Sequence, residues 1–143
     1  MKTFTKTLIL GLVMVGGIAF AAASDPDVKA RQMLMGANGA AMKTLGGMAK
    51  GEIAFDAAAA EAAKAALIAD AADTPAKFKT NAADPASKAK PDVWTNWDDF
   101  VIKANGLGTA AAALDVTSLD GLKAGLGAVG GACGACHQVY KAS

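Results

Sequence analysis

Apolar side chains recur at intervals of three and four residues through most of the chain, a spacing typical of α-helices with one buried face. Four such segments occur after about residue 25, and proline, glycine and aspartate separate them. Clusters of β-branched residues, which would indicate strands, are almost absent. The pattern therefore predicts an all-α fold, an antiparallel four-helix bundle.

The first predicted helix begins at Pro26, behind the capping residue Asp25, and continues to about Lys50. Gly51 is expected to end this helix. The predicted buried face is broad because two stripes lie side by side. They consist of Val28, Met35, Met42 and Ala49, and of Leu34, Asn38, Ala41, Leu45 and Met48.

The second predicted helix follows the capping residue Asp56 and covers about residues 57–71. From residue 73 to residue 90 the helical pattern breaks at Pro75, Asn81 and Pro85, which predicts a long surface connection. Such a loop is unusual in a compact domain unless it covers something.

The third predicted helix begins at Pro91, and the fourth begins near a sequence close to a capping box at residues 117–120. Each carries a seam with alternating spacings of three and four. The third seam consists of Val93, Trp97, Phe100, Ala104, Leu107, Ala111 and Leu114. The fourth consists of Leu119, Leu122, Leu126, Val129, Cys133, Cys136 and Tyr140.

The N-terminal segment predicts export. Lys2 and Lys6 precede an apolar stretch over residues 8–20, and three alanines at 21–23 form a cleavage site. The apolar stretch is short for a membrane span, so we expect a cleaved signal peptide at residues 1–23 and one periplasmic domain at residues 24–143 without stable membrane insertion. Without these two lysines, 12 basic side chains stand against 13 acidic ones, and no basic stripe remains for nucleic acid.

The last helix carries Cys133-Gly134-Ala135-Cys136-His137. Two cysteines three positions apart with a histidine after the second are what covalent attachment of a c-type haem requires. Each thiol adds to one vinyl group, and the histidine becomes an axial ligand of the iron. Both cysteines lie on the predicted seam, so a haem attached there is expected to lie partly inside the bundle.

Three other interpretations of the same residues remain open. A structural zinc site needs four ligands, whereas these are the only cysteines and the only histidine of the chain. A thioredoxin-like redox pair is expected early in a βαβ unit, and no strand is predicted upstream. A plain disulfide is the third alternative, because an exported dithiol ordinarily oxidises.

With these features the chain resembles the class II c-type cytochromes, which comprise cytochrome c prime and its low-spin, methionine-ligated relatives. The resemblance covers essentially the whole chain after the signal segment. Apart from the haem motif, it rests on the pair Arg31-Gln32, on Lys50-Gly51-Glu52 with Phe55-Asp56, and on Pro91-Asp92-Val93-Trp94.

The resemblance implies roles for several residues around the haem. Arg31 and Gln32 are expected near the propionates, and Lys88 and Lys90 are further candidates for that contact. Met35, four residues after Arg31, is expected over the iron opposite His137 and is the candidate sixth ligand. Lys141 stands where the family commonly has arginine, so the charge is kept and the planar fork is lost.

Two functions follow from the resemblance. If Met35 binds iron, the protein is a low-spin electron carrier for a periplasmic redox partner. If Met35 only packs above the iron, the protein is a five-coordinate binder of nitric oxide or carbon monoxide. A haem peroxidase is not expected, because no histidine remains as a distal acid–base group. Members of the family are often homodimers, and the small residues of the first helix would permit this here.

Overall fold

The structure, a computed structural model, describes residues 22–143. The basic residues Lys2 and Lys6 and the apolar stretch of the predicted signal peptide lie outside the described residues. Export and cleavage therefore stay predictions. Within residues 22–143, no helix has both the length and the apolar character that crossing a membrane requires.

Five helices make up the described part of the chain, and four of them are long. The long helices α1, α2, α4 and α5 form a bundle in which α1 and α4 each contact both α2 and α5. This arrangement confirms the predicted all-α four-helix bundle. The bounds are α1 Pro26–Lys50, α2 Ala57–Phe78, α3 Asp92–Thr95, α4 Trp97–Ala113 and α5 Leu119–Tyr140.

Helix α1 begins and ends where its capping residues predict. The side chain of Asp25 accepts hydrogen bonds from the N–H groups of Asp27 and Val28, at 2.8 and 3.1 Å. Gly51 adopts the left-handed conformation, with φ of 76°, and its N–H donates to the carbonyl of Met48. A residue with a Cβ is disfavoured in this conformation, which is why glycine ends the helix.

The predicted end of the second helix was wrong, because α2 continues through Pro75 to Phe78. A proline inside a helix removes one hydrogen bond and costs about 3 kcal/mol. Burial of Phe78, whose ring centroid lies 5.2 Å from that of Phe100, offsets roughly 1.5–3 kcal/mol of this cost. The remaining connection, residues 79–91, is correspondingly shorter than predicted.

The third predicted helix is interrupted once. The short helix α3 ends before Asn96, which has a non-helical backbone, and α4 begins at Trp97. The break leaves no backbone group of Asn96 unpaired, because its N–H donates to Asp92 at 2.9 Å and its carbonyl accepts from Phe100 at 3.0 Å. The predicted seam therefore continues across the break, with Val93 and Phe100 both buried.

Helix α5 begins within the predicted capping-box segment, but its cap is Ser118 and not Thr117, since the side chain of Ser118 accepts from the N–H of Gly121 at 3.1 Å. The core divides into two clusters. Large aliphatic residues, among them Leu45, Leu67 and Leu122, fill the first cluster. The second is aromatic, with Phe78, Phe100 and Tyr140, and Cys136 packs against it. The aromatic cluster is the wall on which the candidate site is built.

Candidate haem site

Two adjoining cavities lie beside the C-terminal half of α5. Their volumes are about 250 Å³ and about 210 Å³. Four residues line both cavities, namely Met35 from α1, Thr74 from α2, and Cys136 and His137 from α5. The two cavities are therefore parts of one cleft between these three helices.

The structure brings the predicted site residues together at this cleft, with the exception of Lys90. The first cavity is lined by Arg31, Gln32, Met35, Lys88, Cys136 and His137, and the second by Met35, Cys133, Cys136 and His137. These residues come from α1, from the 79–91 connection and from α5. The roles of the individual side chains stay predictions.

The surroundings of the three residues of the haem motif shift the pKa values of their side chains. Cys133 and Cys136 are free thiols, half-buried on α5, and burial raises the pKa of both. His137 lies at the exposed edge of the cleft. Partial burial lowers the pKa of its imidazole, and the positive charge of Lys141 lowers it further. The imidazole is therefore neutral at neutral pH, the form in which histidine binds metals.

Arg31 is a buried cation in the wall of the first cavity, and its side chain is 3% exposed. Its Nε donates to the carbonyl of Lys77 at 3.1 Å, and its Nη2 donates to the carbonyl of Thr80. The guanidinium lies over two aromatic rings, 5.1 Å from the centroid of Phe78 and 5.2 Å from that of Trp94. Desolvation lowers the pKa of Arg31, and the negative charges of Asp27 and Asp25 partly counteract this effect.

One atom of Arg31 is left without a protein partner. Its Nη1 is buried and makes no hydrogen bond. A buried guanidinium N–H without an acceptor is costly, and a carboxylate is its best partner. A haem carries two carboxylates, so the unpaired Nη1 and the two free thiols fit this group.

The connection before α3 is fastened over the mouth of the cleft. Gln32 on α1 donates from Nε2 to the carbonyl of Ala86 at 3.0 Å. Ala89 forms an antiparallel β-bridge with Lys141, the residue that follows α5 in the chain. The Nζ of Lys88 donates to the carbonyl of Ser143 at 2.9 Å. The prediction that this connection covers something agrees with the structure, since residues 87–89 line the first cavity.

Lys90 does not line either cavity, although the resemblance suggested it beside Lys88 as a propionate partner. Its Nζ lies 3.9 Å from Oδ2 of Asp92, an exposed ion pair of little energy. Its backbone N–H donates to the carbonyl of Tyr140 at 2.9 Å. In this structure the backbone of Lys90 therefore attaches the connection to α5, and its side chain pairs with Asp92 and does not line the cleft.

Sequence reasoning missed several residues of the cleft. Thr74 and Phe78 line it, but the prediction placed them in a loop. Asn38 and Lys103 line the second cavity. Asn38 had a usable signal, because it is the one amide on a stripe of apolar residues in α1. Within residues 22–143, no group of three or more His, Cys, Asp and Glu side chains gathers to hold a metal ion.

Comparison with known proteins identifies the family. The family model described as Cytochrome C' matches residues 27–141. The chain is 35% identical to cytochrome c-556 of Agrobacterium fabrum over 144 residues, which covers 99% of this chain and 95% of that protein. Oxidised cytochrome c556 of Rhodopseudomonas palustris has a similar structure, with a TM-score of 0.75 at 30% identity, covering 82% of this chain and 97% of that one.

A second similar structure is a nitric oxide complex of a variant cytochrome c prime from Alcaligenes xylosoxidans. It aligns with a TM-score of 0.69 at 27% identity and covers 82% of this chain and 94% of that one. The family consists of periplasmic haem proteins that act as electron carriers or gas binders. The chain therefore belongs to the cytochrome c prime family, the class II c-type cytochromes, and its cofactor is one haem c attached covalently through Cys133 and Cys136.

Proposed function

We propose that the protein is a periplasmic electron carrier with His137 as the proximal ligand and Met35 as the sixth ligand of a single haem. The observation that carries the proposal is that Met35 on α1 and His137 on α5 both line both cavities. These two side chains enter the same cleft from different helices. A histidine and a methionine together form an axial pair that suits electron transfer.

When bound, haem c supplies an iron that accepts and releases one electron. The protein residues prepare the site for this change. Phe78, Phe100 and Tyr140 make an apolar wall, which excludes water from one side of the cleft. The neutral imidazole of His137 and the thioether of Met35 are ligands that need not gain or lose a proton when the iron would gain or lose an electron. Arg31 offers the unpaired Nη1 to a propionate.

An enzymatic role is not part of the proposal. Peroxide cleavage uses a positioned acid–base group on the distal side, most often histidine. The only histidine of the chain is His137, which we assign to the proximal side. The Cys133 and Cys136 thiols are assigned to haem attachment. The remaining side chains of the second cavity are mainly apolar, which suits a carrier.

Gas binding is the alternative function, and one comparison favours it. The variant cytochrome c prime from Alcaligenes xylosoxidans was obtained as a nitric oxide complex. If Met35 packs above the iron without binding it, the cleft of this chain would admit nitric oxide or carbon monoxide at the sixth position. The two functions differ in one bond, that between the Met35 sulfur and iron.

Absorption spectra of the purified holoprotein test that bond. We expect a low-spin spectrum in both oxidation states that becomes high-spin in Met35→Ala. Met33→Ala is the matched control, because Met33 lies on the same helix but is 76% exposed. An unchanged spectrum in Met35→Ala would remove Met35 as a ligand. Fast and tight uptake of carbon monoxide by the unaltered ferrous protein would then favour gas binding.

A second experiment tests attachment and export. Produced with its N-terminal segment in a host competent for cytochrome maturation, the protein is expected in the periplasm, with covalent haem that survives denaturation. Replacement of both Cys133 and Cys136 by serine should abolish the covalent haem. Covalent haem retained by the double variant, or holoprotein recovered only from the cytoplasm, would contradict the corresponding part of the proposal.

A further inference from the structure

Asn38 is a buried amide in the wall of the cleft, and no role has yet been assigned to it. It is 7% exposed, and its Oδ1 is buried without a hydrogen-bond partner. Buried side-chain amides are nearly always hydrogen-bonded, so an orphan of this kind calls for an explanation. The residue lines the second cavity together with Met35 and Cys133. The missing partner is therefore to be sought inside the cleft.

Apart from the three residues of the haem motif, the other polar residues of the second cavity are already paired. The hydroxyl of Thr74 donates to the carbonyl of Asp70 at 2.7 Å. The Nζ of Lys103 lies 3.7 Å from Oδ1 of Asp99. Most of the remaining lining is apolar, with Met42, Ala104, Leu107 and Ala132. Outside the haem motif, Asn38 is thus the polar side chain of this cavity that is available for a new contact.

The position of Asn38 on α1 places it beside Met35. Residues three apart on a helix are neighbours on one face, with Cβ atoms about 5–6 Å apart. An asparagine presents two N–H donors and one acceptor, and rotation of the amide exchanges the two ends. A thioether sulfur is a weak acceptor. When the amide is turned in this way, an N–H takes the position of the unpaired Oδ1 and can donate to the sulfur of Met35 without leaving the cleft.

We propose that Asn38 is a positioning residue whose amide N–H donates to the sulfur of Met35 and so holds the thioether towards the iron. The inference rests on the proposed ligation by Met35 and deepens it. Methionine has a flexible side chain, so a fixed donor selects the orientation that binds. The same hydrogen bond draws electron density from the sulfur. It thereby favours the ferrous state and raises the reduction potential.

Asn38→Leu tests the proposal, because leucine has a similar size and lacks the donor. We expect the reduction potential to fall. We also expect carbon monoxide to associate with the ferrous protein about five- to tenfold faster, because a factor of this size corresponds to the free energy of one net hydrogen bond. A more apolar cleft alone would favour the less charged ferrous iron and raise the potential. The sign of the shift therefore separates the lost hydrogen bond from the change in polarity.

Three further variants complete the test. Asn38→Gln keeps the amide, so its reduction potential and its rate of carbon monoxide association should lie between those of Asn38→Leu and those of the unaltered protein. Asn105→Leu, at an exposed position on α4, should change neither quantity. If Asn38→Leu does not fold, Asn38→Gln is compared with Asn38→Ala. The proposal is supported if the spectrum and potential of Asn38→Gln are closer to those of the unaltered protein than the values of Asn38→Ala are. Equal values in the two variants overturn it.

The failure of this inference can be told apart from the failure of the proposed ligation. If Met35→Ala leaves the spectrum unchanged, Met35 is not a ligand and both proposals are overturned. If Met35→Ala produces a high-spin spectrum while Asn38→Leu leaves the potential unchanged or raises it, only the role of Asn38 is overturned.

Discussion

The hydroxyl of Tyr140 donates a 2.6 Å hydrogen bond to Oδ2 of Asp99. This contact joins the end of α5, one turn beyond the haem motif, to the first turn of α4. Tyr140 is 4% exposed, and its ring meets that of Phe100 edge-on at 5.3 Å between centroids. Burial and then the hydrogen bond to Asp99 raise the pKa of Tyr140 to about 12. The pair therefore holds the aromatic wall of the cleft in place.

Replacement of this hydroxyl should destabilise the protein in a pH-dependent way. Tyr140→Phe is expected to lower the free energy of unfolding by about 2 kcal/mol, the value of a hydrogen bond to a charged group. A raised folded-state pKa means that the contribution is complete below pH 10, the ordinary value, and is lost as the pH rises towards about 12. Urea unfolding at pH 8 and across the alkaline range measures this. A difference between the two proteins that persists above pH 12 would contradict the assignment.

Arg31 should matter both for folding and for redox behaviour. Arg31→Met removes two part-buried hydrogen bonds from a charged donor, to the carbonyls of Lys77 and Thr80, at a cost of about 1.5–3 kcal/mol for each. It also removes a positive charge from the wall of the cleft, which should lower the reduction potential. Unfolding and potentiometric titrations measure the two effects. Lys29→Met, an exposed change on the same helix, is the control and should alter neither by a comparable amount.

Two glycines of α5 should respond in opposite directions to the same change. A Cβ at Gly125 would lie 2.7 Å from Cδ1 of Leu114, which is buried. Overpacking of this kind costs about 1–3 kcal/mol, which exceeds the gain of up to about 1 kcal/mol from replacing a helical glycine. Gly125→Ala should therefore destabilise the protein. Gly127→Ala meets nothing within 4 Å and should stabilise it, as thermal unfolding of both variants would reveal.

Asp84 ties the start of the described chain to the connection over the cleft. Its Oδ2 accepts from the N–H groups of Ser24 and Asp25, at 2.7 and 2.8 Å. The hydrogen bonds from the backbone of Asp25 and of Ala86 lower its pKa to about 2 from an ordinary 3.8. A lowered pKa contributes stability above the ordinary value, and this contribution is lost as the pH falls towards 2.

Asp84→Asn should accordingly be less stable than the unaltered protein at pH 7, and the difference should disappear at about pH 2. Urea midpoints measured between pH 2 and pH 7 give the comparison. Glu61→Gln, an exposed change on α2, serves as the control with little expected effect. A difference that stays constant over this range would show that the carboxylate of Asp84 does not act through its charge.

Much of the site was predictable because its residues follow local rules. The spacing of Cys133, Cys136 and His137 is set by the chemistry of attachment, and a capped helical seam places both cysteines towards the core. The start and end of α1 follow from Asp25 and Gly51, whose preferences act within a few residues. The position of Met35 came from the resemblance, and in the structure Met35 lines the same cleft as His137.

Tertiary packing decided the rest. Helix α2 passes through Pro75 because the partner that buries Phe78 lies on α4, too far along the chain for local propensity to include. Asn38 looked like a core position, and only the assembled bundle turns it into an unpaired amide beside Met35. The sequence by itself determined where helices form and which residues attach the cofactor, because these depend on neighbours in the chain. The fold decided which polar groups are left facing the cleft, because that depends on contacts between helices far apart in sequence.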